Sequence, residues 1–330
     1  MSAVMKAYVY DRYGGPEVVH LEDVAKPVPK SDEILVRIRA TTVTAGDWRV
    51  RTLTLPRGFG IFGRLAIGVR GPRQRILGTE LAGVVEEIGE HVTRFKPGDA
   101  VMAFPGIKMG SHAEYRTVAQ DGPVARKPEG LSFEDAASLP FGASTALHFL
   151  GKAGLRRGDK VLVIGASGSV GTALVQLAKH AEANVTGVTS TKNVDLVRSL
   201  GADRVIDYTR DDVTRHGETY DVIADTVGET HLASCTRLLN EGGRLLAIAG
   251  GVREMLDAMR TSSSKGKRVI AGPADELPEN VARIAELAQG GALRPVVDRV
   301  FDFSQMREAH AYVATRRKRG SVVVTLPQSN

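Results

Sequence analysis

The sequence predicts an α/β fold in which a doubly wound parallel sheet follows a second, mainly antiparallel β domain. An apolar run at 161–164 leads directly into a glycine-spaced turn at 165–171, as at the start of a βαβ unit. After this turn the chain alternates between strand-like and helix-like patterns, whereas the part before it consists of short strand-like pieces. At 330 residues the chain is long enough for two domains with separate cores.

The N-terminal part, residues 1–128, has the pattern of an antiparallel β domain. Apolar residues alternate with polar or charged ones at Ile34, Val36, Ile38 and Ala40. This alternation predicts a strand with one buried face. Turn signals rich in glycine and proline recur at 14–16, 27–29 and 96–99. The segment 53–71 predicts a long loop or a short amphipathic helix, and we expect it to act as a lid beside a ligand site.

The turn at 165–171, with the sequence GASGSVG, has the spacing of a loop that binds a pyrophosphate. Gly168 would let the backbone approach the phosphate, and Gly171 would let the next helix pack closely on the strand. The N-terminus of that helix adds amide donors and the positive end of its dipole. The first position of the usual glycine triplet is Ala166, and a simple tight turn without a ligand is the alternative.

The segments around and after the loop favour the dinucleotide interpretation. Strands are predicted at 161–164, 184–188, 204–206, 220–225, 244–249 and 268–271. Helices are predicted at 169–180, 193–200 and 230–239. Six strands that alternate with helical patterns are typical of a doubly wound parallel sheet with a dinucleotide at its carboxyl edge.

The end of the second predicted strand indicates which dinucleotide binds. An acid about 20 residues past the loop would hold the ribose hydroxyls of NAD, but the chain reads Thr189, Ser190, Thr191 and Lys192 there, with no carboxylate before Asp195. Hydroxyl groups and an ammonium suit a 2′-phosphate, which favours NADPH as the cofactor. In the alternative, Ser190 and Thr191 cap the next helix and Lys192 is a solvated charge.

Composition sets broad limits on the class of protein. With 42% hydrophobic and 25% charged residues, the sequence has a globular composition. No apolar stretch approaches the length of a transmembrane helix, and the first residues lack the pattern of a leader, so we expect a cytoplasmic protein. The single cysteine, Cys235, excludes an internal disulfide and predicts a buried apolar filler rather than a nucleophile.

The net charge of +6 raises the question of an anionic partner. Arginines are concentrated at 51–75 and basic residues at 316–319. Such runs usually form solvated surface, and no nucleic-acid module accompanies them, so we expect no specific nucleic-acid partner. Attraction of the phosphates of NADPH explains part of the excess, and non-specific binding to nucleic acid or an anionic membrane is the minor alternative.

Five ordered motifs extend these expectations along nearly the whole chain. They are GTELAGVV at 78–85, KPGD at 96–99, LP at 139–140 with TA at 145–146, the loop at 165–171, and LGAD at 200–203 with IDY at 206–208. In these motifs the chain resembles the zinc-independent, zeta-crystallin-like quinone oxidoreductases of the medium-chain dehydrogenase/reductase superfamily. The resemblance implies a GroES-like domain at 1–128 completed by 274–330, a Rossmann domain at 129–273, a cleft between them, and a homodimer.

The same comparison predicts that no metal is used. The zinc enzymes of this superfamily carry a cysteine after an early strand and a histidine within Gly-His-Glu, whereas this chain has Thr44 and Thr79 at those positions. A catalytic zinc needs three converging protein ligands, and these residues do not supply the usual set. The four-cysteine loop of a structural zinc is absent as well.

The resemblance also implies which residues contact the cofactor. Thr145 would lie against the nicotinamide, and the pyrophosphate would rest on Ser167, Gly168, Ser169 and Val170. Lys192 and Tyr208 would flank the 2′-phosphate beside Thr189 and Ser190, and Gly250 would line the groove.

At the substrate end we expect Thr44, Arg49 and Thr145 to be the catalytic residues. The family's quinone reductases usually place Asn at position 44 and Tyr near position 49. Thr44 still offers one donor to a carbonyl oxygen. Arg49 would polarise a carbonyl or hold an anionic substituent, with a plain surface charge as the alternative.

The neighbouring groups give structural expectations. Trp48, the sole tryptophan, would stack on a flat substrate or fill the core of the β domain, and core filling is favoured. Asp47, Glu80 and His112 are expected to be structural, because no histidine lies near either acid in sequence. No residue is therefore assigned as a general acid or base.

These observations predict an NADPH-dependent oxidoreductase that transfers hydride to a quinone or an α,β-unsaturated carbonyl without zinc. Two alternatives remain open at this point. The first is a zinc-free NADP-dependent alcohol or aldehyde dehydrogenase, and the second is a non-catalytic NADPH-binding protein. Steeply salt-dependent binding to polyanions without NADPH consumption would identify the latter.

Overall fold

The computed structural model describes residues 3–55, 58, 60–212, 217–228, 232–261 and 266–327. The N-terminal part contains mostly strands. They are β1 (Val4–Val9), β2 (His20–Ala25), β3 (Glu33–Val43), β4 (Leu81–Ile88), β5 (Ala100–Ala103), β6 (Tyr115–Ala119) and β7 (Val124–Arg126). Two short helices, α1 (Ala45–Thr52) and α2 (Gly60–Ile67), lie between β3 and β4.

The middle of the chain alternates between helices and strands. Its elements are α3 (Phe133–Ala137), α4 (Pro140–Ala153), β8 (Lys160–Ile164), α5 (Ser169–His180), β9 (Asn184–Thr189), α6 (Val194–Ser199), β10 (Arg204–Asp207), β11 (Tyr220–Asp225), α7 (Leu232–Arg237), β12 (Leu239–Ala247), α8 (Val252–Thr261) and β13 (Arg268–Ala271). The C-terminal part adds α9 (Pro278–Gln289), β14 (Val297–Asp302), α10 (Met306–Ala314) and β15 (Ser321–Thr325).

These strands form the two main sheets that the sequence predicts. The first has six parallel strands in the order β10-β9-β8-β11-β12-β13, so the strand order reverses beside β8. The second has the order β14-β15-β3-β4-β5-β7, is antiparallel except for the β14–β15 pair, and includes the C-terminal strands. The predicted fold class, a Rossmann sheet plus a mainly antiparallel β domain, is confirmed.

The two sheets share a continuous apolar core. Ala40 and Met102 of the antiparallel sheet belong to the same buried cluster as Val161 and Leu174 of the Rossmann part. Helix α4 contributes Ala143 and other small residues to this cluster. Helix α4 therefore belongs to a core that joins the two parts of the chain.

Two predicted elements differ in extent from the observed ones. The fifth strand, predicted at 244–249, is observed as Leu239–Ala247. Its register against β11 shifts after Tyr220, and Gly242, with a φ of +71°, accommodates the irregularity. The helix predicted at 230–239 is observed as Leu232–Arg237, and its predicted start lies outside the described residues.

The arginine-rich segment is not uniformly a solvated surface. Arg51 is fully buried and donates from Nη1 to the carbonyl oxygen of Gly14 at 2.7 Å, because α1 presents this side chain to the interior. Arg75 is a surface residue that pairs with Asp11 and Glu22. The expectation of a solvated face is therefore wrong for Arg51.

Two further side chains take structural positions. Cys235 is buried, and burial raises the pKa of its thiol to about 12, which makes a thiolate nucleophile unfavourable. Trp48 is partly buried and packs against the core of the β domain. Among the described residues, no helix is both long and apolar enough to cross a membrane.

The contact between α5 and the end of β8 gives a stability prediction. A methyl group on Gly171 would lie 2.1 Å from the carbonyl oxygen of Gly165, which forces backbone to move. We expect G171A to lower the free energy of unfolding by about 2–4 kcal/mol, as measured by urea denaturation.

Gly151 in α4 provides the matched control, because a methyl group there meets nothing within 4 Å. G151A should be neutral or stabilising by up to about 1 kcal/mol, since alanine favours a helix over glycine. Equal effects of the two substitutions would contradict the close packing at Gly171.

Candidate functional site

A loop suited to an anionic ligand lies between β8 and α5. Gly165 has a φ of +78°, and Gly168 precedes α5 without any side-chain cap. The N–H groups of the first helical turn have no acceptor within the helix. A Cβ on Gly168 would meet only the Gly165 carbonyl oxygen, at 3.6 Å, so this side of the loop is open. The loop therefore fits the pyrophosphate of a nicotinamide dinucleotide.

The serine side chains of the loop bond within the protein. Ser167 Oγ accepts hydrogen bonds from Thr189 Oγ1 at 2.9 Å and from Asn193 Nδ2 at 3.1 Å. Ser169 Oγ donates to the carbonyl oxygen of Gly320 at 2.7 Å. Contacts to a phosphate would therefore come mainly from the backbone of the loop.

The residues predicted for the adenosine end come together at the carboxyl edge of β9 and β10. Tyr208 N donates to the carbonyl oxygen of Thr189 at 3.0 Å, which places Tyr208 beside the end of β9. The Tyr208 side chain is 63% exposed, and Lys192 is also exposed. Within the described part of the chain, no acid forms an ion pair with Lys192. Tyr208 and Lys192 are thus both exposed near the carboxyl end of β9.

Sequence reasoning missed a carboxylate at this site. Asp207 ends β10 directly opposite Thr189, although it is distant from it in sequence. Its oxygens accept hydrogen bonds from Thr191 Oγ1 at 2.6 Å and from Thr209 Oγ1 at 2.7 Å, and these bonds lower the pKa of Asp207. Adjacent parallel strands end side by side, so the predicted parallel strands at 184–188 and 204–206 could have indicated that Asp207 lies beside Thr189. Neither Ser190 nor Thr191 makes a side-chain cap to the following helical turns, so the capping alternative is not supported.

The far end of the groove is formed by the ends of β11 and β12. Gly250 follows β12, and a Cβ at this position would lie 2.9 Å from the carbonyl oxygen of Ala247. Asp225 ends β11 and accepts hydrogen bonds from the N–H groups of Val227 and Gly228. Thr226 N donates to the carbonyl oxygen of Ile164, which joins this edge to the phosphate loop.

A second group of predicted residues meets where α1 faces α4. A Cβ built on Gly46 would lie 3.3 Å from Thr44 Oγ1, 3.6 Å from the ring of Phe141 and 3.7 Å from Thr79 Cγ2. Thr145 lies one helical turn beyond Phe141 and donates to its carbonyl oxygen at 2.8 Å. Thr79 and Phe141 were not assigned as functional from the sequence.

The hydroxyl of Thr44 is engaged by Asp47. Thr44 caps α1, and its Oγ1 donates to Asp47 Oδ2 at 2.6 Å. Asp47 is fully buried and also accepts hydrogen bonds from the N–H groups of Thr44 and Gly78. Thr79 Oγ1 lies 3.4 Å from Thr44 Oγ1 and contacts no carboxylate among the described residues. Because the proton of Thr44 goes to Asp47, Thr79 is the donor in any hydrogen bond across this long contact.

Arg49 brings a partly buried positive charge to α1. Burial lowers the pKa of its guanidinium, and the nearby charge of Arg316 lowers it further. No acid of the described segments forms an ion pair with Arg49. An unpaired guanidinium beside another cation favours an anionic or electron-rich ligand over the plain surface charge considered above.

Glu80 connects the β domain to α4. It is fully buried, and it accepts hydrogen bonds from Thr42 Oγ1 at 2.5 Å and from the N–H of Phe141 at 2.6 Å. Burial raises the pKa of this carboxyl to about 8, so the neutral form prevails at pH 7. His112 is also fully buried, with Nε2 2.9 Å from the carbonyl oxygen of Thr42, and burial lowers its pKa.

The donor atoms near Thr44 are unlike those of a zinc site. Thr44, Asp47, Thr79 and Glu80 offer hydroxyls and carboxylates that are bonded to other groups, whereas zinc sites use mainly cysteine and histidine. In the described residues, the one cluster with suitable ligand atoms is Asp11, His20 and Glu22 at the surface, where Arg75 already binds both carboxylates.

Comparisons with known proteins identify the family. Residues 30–129 match the alcohol dehydrogenase GroES-like domain, and residues 200–324 match a domain described as zinc-binding dehydrogenase. The chain is 33% identical to a 2-methylene-furan-3-one reductase of Solanum lycopersicum and 32% identical to a chloroplastic NADPH-dependent alkenal/one oxidoreductase of Arabidopsis thaliana. Each alignment covers 97% of this chain and 79% of the relative.

A solved structure agrees with these matches. The quinone oxidoreductase from Coxiella burnetii superposes with a TM-score of 0.86 at 28% identity, over 98% of this chain and all of that one. The chain belongs to the medium-chain dehydrogenase/reductase superfamily, as its motifs predict, and is therefore an NAD(P)-dependent oxidoreductase. Its relatives include enzymes named for the reduction of alkenals, enones and quinones.

Burial of Glu80 gives a testable pH dependence. The pKa of this carboxyl is raised from 4.5 to about 8, so the folded protein keeps a proton that the unfolded chain releases. The stability of the wild type relative to E80Q should therefore fall as the pH rises from about 4.5 to about 8, and then stay level. Urea denaturation at several pH values measures this difference.

Glu90 supplies the control, because its side chain is 78% exposed. E90Q should change stability little and without a pH trend in this range. A difference between wild type and E80Q that stays constant over the whole range would mean that Glu80 is ionised in the folded protein.

Proposed function

We propose that this protein is an NADPH-dependent oxidoreductase that transfers hydride to an α,β-unsaturated carbonyl or a quinone without zinc. The observation that carries the proposal is the cluster of Thr44, Thr79 and Phe141 near Thr145, at the end of the cofactor groove. This cluster presents hydroxyls and an aromatic ring where the zinc enzymes place metal ligands. The names of the relatives support the same reaction class.

The residues of the chain position the reactants. The phosphate loop holds the pyrophosphate through its backbone amides, and Thr145 with Phe141 bounds the nicotinamide pocket. When bound, the reduced cofactor supplies the hydride. Holding the two partners in a fixed orientation contributes about 7–11 kcal/mol to lowering the barrier in favourable cases.

The substrate carbonyl would receive a hydrogen bond from Thr79, in the field of Arg49. A substrate oxygen would take the Thr79 proton in place of Thr44 Oγ1, which lies 3.4 Å away and whose own proton goes to Asp47. Hydride adds to the β-carbon of an enone, the electron pair of the double bond moves towards the carbonyl oxygen, and the α-carbon then takes a proton from solvent. A quinone likewise takes up one hydride and one proton in total.

The preference for NADPH rests on the adenosine end of the groove. Lys192 and Tyr208 are both exposed near the end of β9, where they would flank a 2′-phosphate. Asp207 is ionised, and its oxygens accept hydrogen bonds from Thr191 and Thr209, which makes them less available to a ribose hydroxyl. The support for NADPH over NADH therefore comes from the ammonium of Lys192.

We also propose a cytoplasmic homodimer. Strand β13 is an open edge of the parallel sheet, and α8 beside it exposes Leu256 and Met259. Pairing of two such edges would cover the open strand and the exposed side chains of α8.

The proposed cytoplasmic location is supported by the sole cysteine, which is buried and unpaired, as suits a reducing compartment.

The first experiment follows nicotinamide absorbance after the metal-stripped protein is mixed with NADPH and a 2-alkenal, an ortho-quinone, or no acceptor. We expect acceptor-dependent loss of NADPH that persists with a chelator. Turnover that returns only with added zinc would contradict the zinc-free reaction. Oxidation of alcohols with NADP without reduction of either acceptor would favour the dehydrogenase alternative, and binding without any turnover would favour the non-catalytic one.

The assignment of the 2′-phosphate site is tested by K192A. Removing this ammonium should weaken NADPH binding about tenfold or more and leave NADH binding nearly unchanged, because NADH has no 2′-phosphate. Fluorescence titration with each cofactor measures both affinities. Equal losses for NADPH and NADH would contradict the assignment.

A further inference from the structure

The C-terminal segment 316–320, which we call the strap, crosses the phosphate loop on its way from α10 to β15. Gly320 N donates to the carbonyl oxygen of Ser167 at 2.8 Å, and Gly320 forms a single β-bridge with Gly168. Gly320 has a φ of +56°, and a Cβ there would lie 2.0 Å from the carbonyl oxygen of Val296. The strap is therefore held tightly against the loop.

The strap brings a lysine to the N-terminus of α5. Lys318 Nζ donates to Ser169 Oγ at 2.5 Å and to the carbonyl oxygen of Gly320 at 2.6 Å. Ser169 is the first residue of α5. The ammonium thus lies at the helix terminus on which the pyrophosphate would rest, and both features attract an anion.

No acid of the described residues forms an ion pair with Lys318. The acidic groups that influence it are Glu80, which burial keeps protonated at pH 7, and Asp298, and both are bonded elsewhere. Glu80 accepts from Thr42 and Phe141, while Asp298 accepts from Tyr312 and Arg319. Burial accordingly lowers the pKa of Lys318 to about 8. A bound anion would supply the missing opposite charge.

We propose that Lys318 is a cofactor-binding residue whose ammonium pairs with the pyrophosphate at the start of α5. This inference rests on the proposed use of a nicotinamide dinucleotide. The ammonium needs only to exchange the Gly320 carbonyl for a phosphate oxygen while it keeps Ser169. Because NADPH and NADH share the pyrophosphate, Lys318 contributes equally to both, whereas Lys192 acts on the 2′-phosphate alone.

The roles of the two lysines can be separated with fragments of the cofactor. ADP-ribose carries the pyrophosphate without a 2′-phosphate. Adenosine 2′-monophosphate carries the 2′-phosphate without the pyrophosphate. We expect K318Q to weaken ADP-ribose, NADH and NADPH about tenfold or more, and adenosine 2′-monophosphate less than twofold. K192A should show the reverse pattern for the two fragments. Calorimetric or competition titrations give these affinities without turnover.

Two further variants serve as controls. R317Q removes one positive charge from an exposed neighbour on the same strap, so its affinities should change less than twofold. K318R keeps the charge and should retain most of the affinity for ADP-ribose. If K318Q does not fold, K318M serves as a second neutral variant of similar length, and a folded K318M that binds ADP-ribose as the wild type does would equally overturn the inference.

Two results would overturn the inference. One is a K318Q protein that is folded by circular dichroism and binds ADP-ribose as the wild type does. The other is a loss of affinity in R317Q as large as in K318Q, because it would indicate a general effect of charge. Failure of the wild type to bind NADPH and NADH would instead refute the proposed function itself.

Discussion

The close approach of α5 to the end of β8 is the constraint on which the rest of the site depends. Gly171 places the helix so near the Gly165 carbonyl that a single methyl group does not fit. This approach sets the first turn of α5 at the carboxyl edge of the parallel sheet, with its amides facing the groove. The positions of the strap and of the ends of β9 and β11 are then fixed relative to one anion site.

A second constraint acts between the two parts of the chain. Glu80 precedes β4 and accepts a hydrogen bond from the N–H of Phe141 at the start of α4, so it joins the β domain to the helix that carries Thr145. A neutral buried carboxyl is suited to this task, because it avoids the cost of an unpaired charge in the interior. The hydroxyl cluster and the helix that carries Thr145 are thereby held in fixed positions relative to each other.

The sequence predicted the parallel sheet and the glycine-spaced turn between β8 and α5, because both depend on local patterns, whereas the cofactor residues were inferred from the family resemblance and stay predictions. It did not predict that Asp207 lies beside Thr189, because the pairing of β9 with β10 brings them together. Nor did it predict that Lys318 lies beside Ser169, because only the path of the C-terminal strap brings this lysine to α5. Nor did it predict that Arg51 is buried, since a run of arginines carries no information on which side chain faces inward. The bond from Thr44 to Asp47 likewise depends on the capping geometry of α1.

By itself, the sequence determined the fold class and the glycine-spaced turn, since hydrophobic periodicity and glycine spacing encode strands, helices and close backbone contacts directly. Its ordered motifs indicated the family by resemblance. The tertiary structure decided which groups remain available to a ligand. Hydrogen bonds engage Thr44, Asp207 and Glu80, whereas the hydroxyl of Thr79 has only a long contact with Thr44, and no acid of the described residues forms an ion pair with Lys192. Such choices depend on the distances between residues that are far apart in the chain, and only folding sets those distances.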